Sequence, residues 1–237
     1  MKRFSLLLVL FLYVFSTCVG AATNNCGRTG IEVLYEDSHD KEMACVGIER
    51  ALKFFSSQGY NITGSIRVKF LDHLDIDERK DCKEEIAESQ ACGYYRSRNG
   101  TCKITSWKTM LKQGITLFGK LEMTEELFIS LIVHEVSHCL HSHVIKSNEQ
   151  VMERSLTEFI AYAAQIATMK EPDRSVVLKL FPAKTFDSCA EINSMNHAMN
   201  PHQFGVMSYR YFEQHPEIIG LILSGEIKSS DSMLMFF

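Results

Sequence analysis

The chain has 237 residues, of which 46% are hydrophobic and 23% are charged, and its formal net charge is -4. The small negative charge and the lack of a basic cluster argue against nucleic acid as a partner. With only 4 prolines, and without a low-complexity segment or an internal repeat, the chain is expected to form a single domain.

The N-terminus has the pattern of a secretory signal peptide, which we predict to cover residues 1–21. Two basic residues precede the apolar run 4–15, and small residues follow as far as Ala21. The run is too short for a membrane-spanning helix. We therefore expect export to the periplasm or the medium, and no stable membrane insertion of the mature domain, residues 22–237. A lipid anchor at Cys18 is the less favoured alternative, because a poor lipobox precedes it.

The N-terminal half has the hydrophobic patterns of a small sheet with helices. Ile31–Tyr35 and residues 65–71 alternate between apolar and polar side chains, which predicts two strands. Between them, residues 40–55 have apolar side chains at helical spacing, and Gly59 ends this predicted helix. Residues 74–90 are mostly charged, and we interpret them as a solvated helix or loop.

The cysteines predict a disulfide framework, because an exported chain folds in an oxidising compartment. Cys139 lies in an apolar helical segment and is expected to stay a buried thiol, which leaves six cysteines for three bridges of open connectivity. Residues 94–104 predict a hairpin with Asn99-Gly100 as its turn, and a bridge from Cys92 to Cys102 would staple it. The seven cysteines of the mature chain are Cys26, Cys45, Cys82, Cys92, Cys102, Cys139 and Cys189.

The segment LFISLIVHEVSHCLHSH, residues 127–143, contains the HExxH motif from His134 to His138. On an α-helix residues i and i+4 share one face, so both imidazoles can bind one zinc ion. Glu135 lies about 100° around the helix, where it can act as the general base on a metal-bound water. The apolar run before the motif indicates a buried helix. The alternative is a chance motif with surface histidines.

A third ligand would define the class of zinc site. The metzincin pattern requires glycine and histidine where this chain has His141 and Val144, so that pattern fails. In the gluzincin pattern a glutamate follows at about 20 residues on a second helix, and Glu158 follows His138 by 20 residues. Glu158 has apolar neighbours, where a carboxylate needs a cation, whereas Glu153 belongs to the more polar start of the same helix. We therefore favour Glu158 over Glu153.

Several other polar side chains are weaker candidates for the site. Three imidazoles on one straight helix span about 10 Å, so His141 and His143 are expected to be solvated. Tyr162 lies four residues after Glu158, on the same helical face, and is the favoured neighbour of the ligands. A zinc peptidase also needs a donor for the oxyanion, and each of the following is more often an ordinary structural residue: His197, His202, Tyr209 and Arg210.

Helices are also predicted over residues 171–180 and 200–212, and the apolar segment 218–223 is expected to pack on the domain. Three segments carry a wider pattern: His134-Glu135-xx-His138, Thr157-Glu158-Phe159-Ile160-Ala161-Tyr162, and Asn200-Pro201-xx-Phe204-Gly205-Val206-xx-Tyr209-Arg210-x-Phe212. They resemble an uncharacterised family of small exported bacterial proteins with a zincin-like HExxH, over roughly residues 90–215. The resemblance implies a gluzincin-like metallopeptidase fold with Glu158 among the ligands. It implies no substrate.

The order of the predicted elements indicates an α+β protein of zincin-like fold. We hypothesise a metallopeptidase in which His134, His138 and Glu158 bind Zn²⁺ and Glu135 is the general base. Its peptide or protein substrate would add to the edge of the sheet as another strand. The alternative is a non-catalytic zinc-binding module that holds a peptide or protein in the same cleft, and a third possibility is a disulfide-rich interaction domain with incidental histidines.

Overall fold

A computed structural model of the protein describes residues 22–72, 93–96, 100–148, 152–182 and 184–228. Five strands form its main sheet: β1 (Ala22–Asn24), β2 (Ile31–Tyr35), β3 (Ile66–Leu71), β4 (Gly93–Arg96) and β5 (Thr101–Thr105). Their order across the sheet is β1-β2-β3-β5-β4. The central strands β2, β3 and β5 are parallel, and each outer strand is antiparallel to its neighbour.

The alternation of side chains along the strands determines which face of the sheet is buried. In β3, Ile66 and Val68 are buried while Arg67 between them is exposed, as the two-residue period of a strand requires. Val68 lies beside Val33 of β2 and Cys102 of β5. These three side chains are fully buried, so a row of core residues crosses the sheet.

Eight α-helices lie within the described ranges: α1 (Ser38–Ser57), α2 (Trp107–Lys112), α3 (Glu125–Asn148), α4 (Arg154–Ala167), α5 (Glu171–Leu180), α6 (Ser194–Met199), α7 (Pro201–Gln214) and α8 (Ile218–Leu223). A two-stranded hairpin of β6 (Thr116–Leu117) and β7 (Leu121–Glu122) precedes α3. A 3₁₀ turn, Cys189–Glu191, precedes α6.

Helix α3 is the central element, since it packs against α1, α4 and the strands β3, β4 and β5. Its approach to α1 depends on Gly47, where an added Cβ would lie 2.6 Å from Cγ2 of Ile132. Any larger side chain at position 47 would force the two helices apart. Every residue of the stretch 126–137 is buried, so the first half of the HExxH motif lies inside the protein.

Most of the predicted elements are confirmed. The helix predicted at residues 40–55 is α1, and it begins two residues earlier because the Asp37 side chain accepts a hydrogen bond from the His39 backbone N–H at 2.9 Å. The other confirmed elements are β2, β3, the β4–β5 hairpin, α3, α5 and α7. The apolar segment 218–223 packs on the domain as expected, and it does so as the helix α8. Asn99 of the predicted turn, the charged segment 74–90 and the predicted signal peptide, residues 1–21, lie outside the described residues.

The cysteine prediction is confirmed only in part. One disulfide joins Cys26, in the loop after β1, to Cys45 on α1. Cys139 is a buried thiol, as expected. Cys102 and Cys189 are also thiols, so at most four of the seven cysteines are available for bridges, and the framework of three bridges is wrong.

The predicted bridge from Cys92 to Cys102 is wrong for a physical reason. Cys102 lies on the buried face of β5, beneath α3, and its thiol donates a hydrogen bond to the carbonyl oxygen of Glu135 at 3.4 Å. The thiol of Cys102 also forms a hydrogen bond with Cys139 on α3. Packing against α3 therefore occupies the side chain that was expected to staple the hairpin. Cys82 and Cys92 lie outside the described residues.

The fold class is confirmed as α+β, with a small mixed sheet and several helices. Within the described part of the chain, no helix combines the length and the apolar character needed to cross a membrane.

Candidate metal centre

The two histidines of the motif meet on one face of α3. They are one helical turn apart, and their Nε2 atoms are 3.2 Å apart. The rings are nearly perpendicular, with centroids 4.9 Å apart. Both Nε2 atoms therefore point to one place beside the helix.

Helix α4 adds a carboxylate oxygen to this pair of nitrogens. Oε2 of Glu158 is 3.3 Å from Nε2 of His134 and 3.8 Å from Nε2 of His138. A zinc ion with ligand bonds of about 2.0–2.1 Å holds tetrahedral ligands about 3.3 Å from one another. The triangle of ligand atoms has nearly this size, so the cluster of His134, His138 and Glu158 can hold a metal ion.

The cluster is recessed but not sealed from solvent. The side chains of His134, His138 and Glu158 are 10%, 13% and 14% exposed, respectively. A sealed structural site would bury all of its ligands, whereas a catalytic site needs a position that solvent can reach. The partial exposure of the three side chains fits a site with a position that solvent can reach.

Charge is distributed unevenly over the three ligands. Burial lowers the pKa of His138 to about 4, so this imidazole is neutral at pH 7. Burial also opposes the charging of His134, but the hydrogen bond and the negative charge of Glu158 outweigh it and raise the pKa of His134. Burial alone would raise the pKa of Glu158, yet the neighbouring imidazoles, led by that of His138, hold this pKa well below its usual range. Glu158 is thus the anionic member of the cluster.

A chain of hydrogen bonds sets the tautomer of His134. Its Nδ1 lies 3.1 Å from Oε1 of Gln165, a buried residue of α4. The amide nitrogen of Gln165 donates to the hydroxyl of Ser130, which in turn donates to the carbonyl oxygen of Leu127. Because an amide oxygen only accepts, Nδ1 of His134 carries a proton, and Nε2 is the nitrogen that faces the cluster and can offer its lone pair to a metal once it is deprotonated.

His138 is oriented by another histidine. Its Nδ1 lies 3.3 Å from Nε2 of His141, one turn further along α3. Burial lowers the pKa of His141 to about 3, so His141 is neutral and can accept the Nδ1 proton of His138. Within the described part of the chain, Nδ1 of His141 is a buried atom without a hydrogen-bond partner.

The prediction that His141 and His143 are solvated is therefore wrong for His141 and correct only in part for His143. His141 is buried because the second half of α3 still packs against the protein. His143 is half-buried, with Nε2 3.0 Å from the carbonyl oxygen of Ser65 and its ring against Gly64. Neither belongs to the set of ligand atoms within 4.8 Å of one another, so the expectation that they are not ligands agrees with the geometry.

Glu135 lies beside the cluster on the same helix and is buried. Burial, reinforced by the charge of Glu158, raises the pKa of Glu135 to about 7, although His134 opposes this rise. A carboxyl group with this pKa exchanges a proton readily near neutral pH, which is the requirement for a general base that later acts as an acid.

The structure brings Tyr162, the favoured neighbour of the ligands, to the cluster. The ring of Tyr162 packs edge-on against His134, with centroids 4.6 Å apart. Tyr209 instead donates to Glu213 at 2.5 Å, next to Arg174. Arg210 donates to a backbone carbonyl of α5. These partners of Tyr209 and Arg210 belong to α5 and α7 and are not among the three ligands.

Glu153, the competing carboxylate, is the residue before α4 and is not in the ligand set. Three further side chains surround the ligands, and two of them, Gln165 and Arg154, were not assigned a role by the sequence pattern. Gln165 follows Glu158 by two helical turns, so the sequence already places this polar residue on the same face of the apolar helix as Glu158. Arg154 lies 3.8 Å from Oε1 of Glu158, at the i,i+4 spacing of a helical ion pair.

His197 is the third of these side chains, and its position had no local signal. Its Nε2 lies 3.9 Å from Oε2 of Glu158, although it comes from α6, 39 residues further along the chain. Only the packing of α6 against α4 and α7 brings it there.

Comparison with known proteins identifies a family without assigning an activity. No curated protein and no solved structure matches the chain. The matching family is described as a family of unknown function (DUF6639), and its match extends over residues 31–231, which include both ligand helices and α6. Because the match covers most of the chain, the protein belongs to this family of unknown function, DUF6639.

Proposed function

We propose that the protein is a zinc-dependent metallopeptidase of zincin-like fold. The observation that carries the proposal is the convergence of two imidazole nitrogens and one carboxylate oxygen at 3.2–3.8 Å, with Glu135 buried beside them. The mixed sheet, the HExxH helix and the following helix with a third ligand have the order expected of a zincin. Two imidazoles and one carboxylate also form a donor set that suits zinc.

The chemistry of the proposed site divides between the ion and the protein. Zinc bound here would supply an acidified water and would polarise the carbonyl group of a peptide bond. Glu135 takes a proton from that water and passes it to the leaving amine. Gln165 and His141 hold the rings of His134 and His138 so that both Nε2 atoms face the cluster, where they would bind the ion.

The sheet offers a surface for an extended peptide. Among the described strands, β4 lies at one edge of the sheet, and it packs against α3, the helix that carries the motif. A peptide that adds to an edge strand gains main-chain hydrogen bonds and is held straight along the helix that carries the motif. This arrangement supports a peptide or protein as the substrate.

We also propose that the protein is exported. The Cys26–Cys45 disulfide supports an oxidising compartment, either the periplasm or the medium outside the cell. The signal-peptide pattern of residues 1–21 supports the same location.

The proposal is tested on purified protein with its metal content measured. Cleavage of a broad peptide library should require the metal and should stop when a chelator removes it. Glu135→Gln should keep the zinc and the fold but lower the cleavage rate by roughly 10²–10⁴, because it removes a general base. Glu125→Gln is the matched control, since Glu125 lies in the first turn of the same helix and is 64% exposed.

The outcomes separate the two candidate functions. The metallopeptidase requires a difference between the parent protein and Glu135→Gln. A non-catalytic zinc-binding module would bind zinc and a peptide or protein partner, and Glu135→Gln would then change neither. Cleavage at the same rate by both proteins would refute the mechanism proposed for Glu135.

A further inference from the structure

We infer that His197 is the group that donates a hydrogen bond, from Nε2, to the carbonyl oxygen of a substrate or inhibitor in the metal site. The inference rests on the proposed function and assigns the oxyanion donor that such a function requires. Tyr209 and Arg210 do not supply this donor, because they bond to Glu213 and to the carbonyl oxygen of Leu178.

The position of His197 distinguishes it from a fourth ligand. A fourth tetrahedral ligand would lie about 3.3 Å from each of the other three ligand atoms. Nε2 of His197 is 3.9 Å from Oε2 of Glu158, and His197 is not part of the set whose ligand atoms all lie within 4.8 Å of one another. The 4.8 Å limit therefore excludes His197 from the coordination, although its Nε2 lies beside the ligand oxygen of Glu158.

The ring of His197 is held in place by packing. Its centroid lies 5.2 Å from that of Phe204 and 6.4 Å from that of Tyr162, the residue that packs on His134. Tyr162 is itself pressed against α7, where a Cβ added at Gly205 would lie 2.5 Å from its ring. An aromatic wall therefore fixes His197 relative to the ligands, and a donor fixed in advance stabilises developing charge without reorganisation.

The short helix that carries His197 is also secured at its start. The side chain of Asn193 accepts a hydrogen bond from the backbone N–H of Asn196 at 3.0 Å. The amide of Asn196 donates to the carbonyl oxygen of Glu191 at 2.8 Å. These contacts turn His197 inward, while Met195 on the same helix remains 70% exposed.

Besides the two ligand histidines and His197, the guanidinium of Arg154 also lies beside Glu158. It lies beside Oε1, whereas His197 lies beside Oε2, the oxygen that belongs to the ligand set. Arg154 is 46% exposed and His197 only 15%. A half-exposed arginine is screened by water, so His197 is the better-placed donor for an oxygen at the open position.

The test uses the protein loaded with Co²⁺, a visible stand-in for zinc, and acetohydroxamate as the probe. Acetohydroxamate binds to metals through its oxygens, and its binding changes the absorption spectrum of the cobalt. His197→Ala should keep the parent's affinity for Co²⁺ and weaken acetohydroxamate roughly 10- to 100-fold, the value of one hydrogen bond to a charged group. His197→Gln, which retains an N–H donor, should recover part of that loss.

Met195→Ala is the control for disturbance of α6, and it should bind the metal and the probe like the parent. Equal probe binding by the parent and His197→Ala would overturn the inference, and so would a tenfold loss of metal affinity in His197→Ala, which would make His197 a ligand. A parent that takes up no metal overturns the proposed function together with this inference. A parent that binds metal and probe yet cleaves no peptide counts only against the peptidase, because the probe still reports on His197.

Discussion

Removal of the carboxylate of Glu158 is the most direct test of the ligand set. Loss of a side chain that only orients a ligand typically lowers metal affinity about 10- to 100-fold. Glu158 contributes the only carboxylate oxygen of the triangle and its negative charge. We therefore expect Glu158→Ala to weaken zinc binding by at least about 100-fold.

This loss of affinity has a thermal consequence. A 100-fold weaker affinity removes about 2.7 kcal/mol of the stabilisation that a fixed excess of zinc gives to the folded state. For a chain of this size, that corresponds to a melting temperature lower by roughly 5–11 °C in the presence of zinc. The same variant without zinc provides the baseline, since any change there reports on packing rather than on the metal.

The assay combines metal analysis with thermal melts at several zinc concentrations. Glu153→Ala is the matched control, because Glu153 is a carboxylate immediately before the same helix and outside the ligand set. The control should bind zinc like the parent. If Glu153→Ala lost zinc while Glu158→Ala retained it, or if the parent bound none, the assignment of Glu158 would be refuted.

Gln165→Leu should weaken zinc binding roughly 10- to 100-fold, because Nδ1 of His134 loses its acceptor; an unchanged affinity in a metal titration would rule out this role. Asp40→Asn should raise the free energy of unfolding at pH 7 by up to about 3 kcal/mol, and by under about 1 kcal/mol at pH 4. Burial raises the pKa of Asp40 to about 6 in the folded protein, so the parent loses stability as the pH rises from about 4 to 6. Urea unfolding at a series of pH values measures the difference in free energy of unfolding between Asp40→Asn and the parent. A difference that does not change with pH would contradict the role assigned to the Asp40 carboxyl group. Thiol counting in denaturant without reductant should find at least three thiols, at Cys102, Cys139 and Cys189, and fewer would mean a further bridge.

The sequence correctly predicts the elements whose pattern of apolar and polar residues repeats within the element itself. The spacing of apolar residues in α1 and the alternation in β3 are visible in short windows, because a helix and a strand each repeat over a few residues. The ligand pair His134 and His138 is local in the same sense. Glu158 could be predicted from the sequence because a carboxylate in an apolar helix needs a cation as its partner. Its spacing from His138 is also the one that the gluzincin pattern requires.

The parts that the sequence does not predict depend on which elements become neighbours. Cys102 is a thiol beneath α3 because β5 lies between β3 and β4, an order that no local pattern encodes. His141 is buried because α3 packs against other elements beyond the motif, whereas solvation was expected from the fact that three imidazoles on one helix cannot all reach one zinc ion. His197 reaches Glu158 only through the packing of α6, so its side chain was one of several equal candidates.

The start of α3 explains why the two ligand helices converge. Glu126, buried in the first turn of α3, accepts hydrogen bonds from the guanidinium of Arg50 on α1 and from the backbone N–H of Lys170, which follows α4. Burial opposes its ionisation, but Arg50 and Lys170 outweigh burial and lower the pKa of Glu126.

One carboxylate thus ties α1, the start of α3 and the end of α4 together. Because α3 and α4 are joined at this end, their relative position is set before the ligands are reached, two turns further along α3. Gln165, which bonds to Ser130 and to His134, adds a second tie between the same helices. The separation of His134 and Glu158 is therefore determined by polar contacts outside the ligand set. A binding site prepared in this way does not require the ion to assemble it, and the apo protein should keep the ligands at nearly the same distances.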